Sequence, residues 1–136
     1  MRGSIQSYRK VSLESQLADA SPHKITQMLF NGALERIAQS KAAMEQHDFA
    51  QKGILIGKAI GIIQGLKNSL VMDEGGEIAA NLGQLYDFML RRITEANANN
   101  DFQALDDVAV LLREIKEAWD AIPADKHYLT ANKEHA

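Results

Sequence analysis

The chain has 136 residues, of which 46% are hydrophobic and 24% charged; it carries a formal net charge of −3 and no cysteine. That length suits one domain able to bury well over half of its unfolded surface. The mild negative charge, with Lys and Arg dispersed among Asp and Glu, argues against nucleic acid as a partner. The lack of cysteine excludes disulfides, thiolate metal sites and cysteine nucleophiles, and fits a reducing cytosol.

No apolar run approaches the roughly 20 residues of a membrane span, and the N-terminus lacks the apolar stretch of a secretory signal. Membrane insertion is not expected, and a cytoplasmic location is. Residues 1–20 form an arm outside the helical pattern. Within it Ile5, Tyr8 and Val11 are three apart and would make a short apolar ridge if the arm were helical.

Ser21 and Pro22 open the first helix, one as N-cap and the other at the first helical position, where the missing N–H of proline costs nothing. From there to about Gln46, Ile25, Leu29, Phe30, Ala33, Leu34, Ile37 and Met44 share one half of the helical wheel. Gln27, Asn31, Glu35 and Gln39 occupy the other. Asp48 followed three residues later by Gln51 has the form of a capping box and predicts a second helix to about Leu70.

Gly53, Gly57, Gly61 and Gly65 recur every four residues in that helix, so each lies about 40° further round than the last. Gln64, Asn68, Lys58 and Ile54 share their side; Leu55, Ile56, Ala59, Ile60, Ile62, Ile63 and Leu66 take the opposite arc. Each interior glycine costs about 0.5–1 kcal/mol relative to alanine, so four amount to roughly 2–4 kcal/mol. Two readings would offset that cost: close backbone contact with a neighbouring helix of the bundle, or a flattened groove rimmed by Ile56 and Ile60 that receives a partner.

The stretch VMDEGG breaks the pattern, and a third helix is expected from near Gly76, with Ile78, Leu82, Leu85, Tyr86, Met89, Leu90 and Ile93 on its apolar arc. Asp87 and Arg91 form an i, i+4 pair read as solvated helix surface. Asp101 caps a fourth helix, about Phe102 to Ile122, which Pro123 stops. Tyr86 and Trp119 read as packing groups whose polar tips find partners at the rim. The expected fold is therefore all-α: an antiparallel up-and-down four-helix bundle over residues 21–122, with the arm before it and a polar, flexible tail over residues 123–136.

Residue patterns for catalysis or cofactors are missing. Di-iron bundles use Glu-x-x-His, but Ala20, Met44, Ala124 and Asn132 stand three residues before the four histidines. There is no H-E-x-x-H, and IGKAIG lacks the spacing of a phosphate-binding loop. A histidine phosphotransfer bundle needs an exposed histidine in mid-helix; His23 sits in a first turn, His47 at a helix end, and His127 and His135 in the tail. All four read as ordinary surface histidines. No enzyme activity, cofactor or metal is expected.

Taken together, YRKVSLES, ASPHKITQMLFNGALERI, GLKNSLVMDEGGEIAANLGQLYDFMLRRITEAN and LLREIKEAWDAI resemble the flagellar secretion chaperones of the FliS type, over about residues 5–122. The resemblance implies a cytosolic chaperone that binds the C-terminal segment of flagellin as helices and extended stretches, prevents its polymerisation and delivers it to the flagellar type III export apparatus. Components of the export gate and other flagellar regulators are further candidate partners. Tyr8 matches the family tyrosine, and the resemblance implies that the arm carrying it covers part of the binding surface in the free protein; Ile5, Tyr8 and Val11 are then expected to act as a gate that flagellin displaces, an arm packed permanently into the core being the alternative. The four regular glycines depart from the family pattern. The groove is expected to comprise Gly53, Ile56, Gly57, Ile60 and Gly61 of the second helix with Leu82, Tyr86, Met89 and Ile93 of the third. A helical adaptor of the flagellar system without an export role is the alternative.

Overall fold

The computed structural model of the protein describes residues 21–70 and 72–123. Four helices follow one another there: α1 (Pro22–Glu45), α2 (Phe49–Asn68), α3 (Met72–Asn99) and α4 (Phe102–Asp120), with no strand among the described residues. The all-α expectation is met. Each helix packs against the next, and α4 returns against α1 to close the ring. Ile5, Tyr8 and Val11 of the arm, and the tail beyond Pro123, lie outside the described residues.

Local chemistry fixes the helix starts. The Ser21 hydroxyl accepts from the Lys24 N–H at 3.1 Å, Asp48 from that of Gln51 at 3.2 Å, and Asp101 from that of Ala104 at 3.2 Å, each satisfying one of the four orphan donors of a first turn. Only half of the expected capping box at Asp48 forms. Its N–H donates instead to Ala43 O at 2.9 Å, because the chain leaves α1 through His47 in the left-handed region (φ 58°) and folds back on the last turn. Asn100 (φ 52°) plays the same part between α3 and α4.

α3 begins earlier than the sequence suggested. A helical turn from Met72 precedes Gly76, where the chain kinks at φ 58°, ψ −135°. That conformation is open to glycine and strained for residues with a Cβ, so the break at this glycine is real but lies inside the element.

The core is built by Phe30, Ala33, Ile37 and Met44 of α1, Ile56, Ala59, Ile63 and Leu66 of α2, Tyr86, Met89, Ile93 and Ala96 of α3, and Ala104, Leu105, Val108 and Leu112 of α4. Apolar arcs of all four helices meet there, removing from water side chains of which the Val, Leu, Ile, Phe and Met are worth about 1.5–3 kcal/mol each when fully buried. Ile25 and Ile78, which share the apolar arcs of their helices, are exposed. Both stand in the first turns after a cap or kink, where the bundle is not yet closed around them.

Polar clasps join the helices at both ends of the bundle. At one end the His23 Nε2–H donates to Trp119 O at 2.8 Å, the Trp119 indole N–H donates to His23 O at 3.0 Å, and the rings stack at 5.1 Å. His23 is therefore no ordinary surface histidine: it is buried, and it ties the start of α1 to the end of α4. At the other end Lys52 is buried, and its ammonium donates to Asn97 O at 2.8 Å and to Asn100 Oδ1 at 2.6 Å. A cation there satisfies a carbonyl at the C-terminus of α3, where the helix dipole favours positive charge.

Between these ends Lys41 pairs with Asp106 at 3.0 Å. Arg92 reaches Glu95, Asp107 and Asp101 at 2.7, 3.0 and 3.5 Å. Hydrogen bonds from Gln103 and Arg92 hold the Asp107 carboxyl below its usual range. His23 with Trp119 and Lys41 with Asp106 set α1 and α4 antiparallel, and Lys52 with Asn97 and Lys67 with Asp87 do the same for α2 and α3.

Candidate functional site

The four glycines of α2 face outward. A Cβ built on Gly53, Gly57, Gly61 or Gly65 meets nothing within 4 Å among the described residues, whereas one on Gly32 of α1 would stand 3.4 Å from Ile62 Cδ1. Of the two readings of the glycine row, contact with a neighbouring helix of the described bundle is thereby overturned. Ile54, 55% exposed, projects from the same side, and Lys58 and Gln64 are exposed beside it. α2 contains no Asp or Glu, so this face is apolar to weakly basic on a chain of net charge −3.

The expected groove residues divide sharply. Gly57 and Gly61 are exposed, and Gly53, Ile60 and Leu82 are half-buried. Ile56, Met89 and Ile93 are fully buried and Tyr86 is 3% exposed; all four are packed into the core cluster. The wheel identified the apolar arc of α3 correctly, but in a closed bundle that arc is the one turned inward. The structure therefore brings the α2 glycines together with one another and not with Met89, Ile93 or Tyr86 on a common surface.

Burial pushes the Tyr86 phenol up to about 12 from its ordinary 10.0. The folded state thus holds this proton more tightly than the unfolded chain. Stability is unaffected by it below pH 10 and declines as pH rises from about 10 towards about 12. Urea unfolding at pH 9 and pH 11 should differ by about 1 kcal/mol through this group. Tyr86→Phe should remove that difference; an undiminished difference in the variant would assign the loss to other groups.

Between the C-terminal end of α2 and the first half of α3 lies a cleft of about 440 Å³, lined by Lys67, Asn68, Leu70, Ala80, Gly83, Gln84 and Asp87. Lys67 Nζ sits 2.6 Å from Asp87 Oδ1 across it, so Asp87 pairs between helices rather than with Arg91. Sequence reasoning passed over the cleft. Its one signal was a pair of small residues three apart, Ala80 and Gly83, beside polar Gln84 and Asp87. Asn68 belongs to the glycine side of α2, so the cleft continues the open face.

Among the described residues no group of three or more His, Asp or Glu could hold a metal ion, and no helix is long and apolar enough to cross a membrane. The outstanding feature is the outer face of α2, which meets no described neighbour. Residues 4–126 match the family described as Flagellar protein FliS. The flagellar secretion chaperone FliS of Vibrio cholerae is 59% identical over 131 residues, 96% of each chain. The flagellar secretion chaperone FliSB of Pseudomonas aeruginosa is 51% identical over 118 residues, 87% of this chain and 94% of its own. The Bacillus subtilis flagellar secretion chaperone FliS is 33% identical over 106 residues, 78% of each chain.

Proposed function

This chain belongs to the FliS family of flagellar proteins, and from that premise we propose that it is a cytoplasmic export chaperone for flagellin: it binds the C-terminal segment, keeps it from polymerising and delivers it to the flagellar type III export apparatus. The observation that carries this reading is the outer face of α2, where four helical glycines meet no described neighbour and Ile54 stands in water. The described bundle gains no contact from that arrangement. A guest chain laid along α2 would gain close approach.

The physics of the guest agrees. A segment that must build a filament is amphipathic, and unassembled it exposes apolar surface. Chaperoning it calls for a long shallow face that accepts anchors at helical spacing. Ordering an unstructured guest costs about 1–2 kcal/mol per residue of backbone, so a large contact area is needed for binding, and the complex still releases readily. Such a guest can be handed over unfolded.

A pull-down with full-length and C-terminally truncated flagellin tests the proposal. The full-length protein is expected to be retained and the truncated one lost. Equal retention of both would overturn the reading and favour a helical adaptor that recognises some other part of the flagellar machinery.

A further inference from the structure

We propose that the C-terminal tail, residues 124–136, straps the outer seam between α3 and α4 of its own chain, turning back at Pro123 and laying Tyr128 and Leu129 against the row formed by Ile78, Leu85 and Phe88. The inference concerns the free protein and is independent of the function proposed above.

The seam follows from register. Arg92 of α3 meets Asp107 of α4 at 3.0 Å across the short turn at Asn100, so the two helices run antiparallel. Ile78 lies 14 residues before Arg92 and Ala121 lies 14 residues after Asp107, which puts both about 21 Å from that ion pair, at the end of the bundle where α4 stops. At 100° per residue, Ile78, Leu85 and Phe88 fall within about 40° of Arg92, and Leu111, Ala118 and Ala121 within about 40° of Asp107. Two facing apolar rows thus border one outer groove. They are incompletely covered: Ile78 is 74% exposed, more than any other large apolar residue among those described, and Phe88 is 40% exposed. Ala118 and Ala121 are exposed, and Leu85 and Leu111 are half-buried.

Three observations assign this seam to the tail. First, the chain leaves the bundle there. Ile122 and Pro123 follow Ala121 directly, so the tail starts in the mouth of the groove, and Pro123 cannot carry the helix further. The arm of residues 1–20 joins the bundle at Ser21, on the α1 side of α4, where His23 stacks on Trp119. Second, the length fits. Phe88 lies ten residues, about 15 Å, from Ile78 along α3. Five extended residues after Pro123 span up to about 17 Å, which brings Tyr128 and Leu129 to Leu85 and Phe88. These two are the only large apolar residues beyond Pro123. Side chains of an extended chain alternate, so one of the adjacent pair faces the seam in either register. Third, charge agrees with the direction. Glu114, exposed and in the row of Asp107, has no ion pair among the described residues, and a tail running back brings Lys126 abreast of it. An exposed pair of this kind orients more than it stabilises. The strap withdraws from water an apolar row that the four helices leave open.

The test uses the full chain alone. Trypsin cleavage after Lys126 reads the undocked population, provided docking is fast relative to cleavage. Ile78→Ser combined with Phe88→Ser is expected to speed that cleavage about tenfold, the scale of one apolar anchor, with the helical circular dichroism unchanged because both side chains already stand largely in water. A photocrosslinker at position 128 of the otherwise unaltered chain should form an adduct with α3 or α4 of the same molecule at every protein concentration, and this readout decides the matter if the double variant fails to fold. Equal cleavage rates in a folded variant would overturn the proposal. So would an adduct to residues 1–20, or one to a second copy that fades on dilution. Neither readout involves flagellin, so failure of the function proposed above would leave the strap standing.

Discussion

Gly57→Leu combined with Gly61→Leu is expected to give a protein that is folded, more stable than the unaltered chain, and unable to hold flagellin. Stability should rise because both new side chains enter space that no described residue fills, with none within 4 Å of either Cβ. Replacing an interior helical glycine by a good helix former gains about 0.5–1 kcal/mol, or roughly 1–2 kcal/mol for the pair. Binding should fall at least about a hundredfold, because two leucines separated by one turn would hold a guest helix away from the α2 backbone along the contact line. Glutamine at the same positions separates lost fit from self-association, since it adds bulk without apolar surface. Urea unfolding and a titration with the flagellin segment read the two effects. A destabilised variant would mean that some other part of the chain occupies this face, residues 1–20 with Ile5, Tyr8 and Val11 being the segment expected there. A stable variant that binds normally would remove α2 from the guest's path.

That combination would mark the glycine row as a cost carried for function, and most of what leads to the expectation was legible in the sequence. Caps announce themselves through residue type: Ser21 before Pro22, Asp48 and Asp101 each accept the N–H three residues on. The glycines' side of α2 followed from period alone. Interhelical partners did not. Asp87 had two cations to choose from, Arg91 on its own helix and Lys67 on the one before, and only the packing of α2 against α3 decides for Lys67. Lys52 could not be recognised as buried, since lysine is almost never sealed without a partner. Its partners, the Asn97 carbonyl and the Asn100 amide, lie 45 and 48 residues away. His23 escaped for the same reason, its clasp with Trp119 spanning 96 positions.

Ile56, Tyr86, Met89 and Ile93 turned out to be core for a different reason. Periodicity reports which residues are apolar together, and both a core and a docking surface are made of such residues. For α2 the glycines broke the ambiguity by forming a second, shallow face beside the apolar one. α3 has no such second face in its sequence, so its single apolar arc was read as groove although Tyr86, Met89 and Ile93 on it serve the core. The part of α3 that borders α2 on the outside is made of Ala80, Gly83, Gln84 and Asp87, small and polar residues that no hydrophobicity pattern selects.

Ile93→Ala tests that division directly, and its effect should fall on the fold. Ile93 is fully buried within the core cluster. Truncating it removes three methyl or methylene groups and leaves a cavity that close-packed neighbours fill only in part, at a cost of about 2–5 kcal/mol. For a bundle of ordinary stability, about 10 kcal/mol, that is roughly a fifth to a half of the total. The urea midpoint should drop accordingly, with the slope of the transition unchanged. At a temperature well below the transition, where the variant is still folded, its affinity for the flagellin segment should stay within about threefold of the unaltered chain, because no atom of Ile93 reaches the surface. The opposite result, full stability with binding lost, would require the bundle to open and present its interior to the guest. In that case Met89→Ala and Ile56→Ala should behave alike, because both side chains belong to the same sealed cluster.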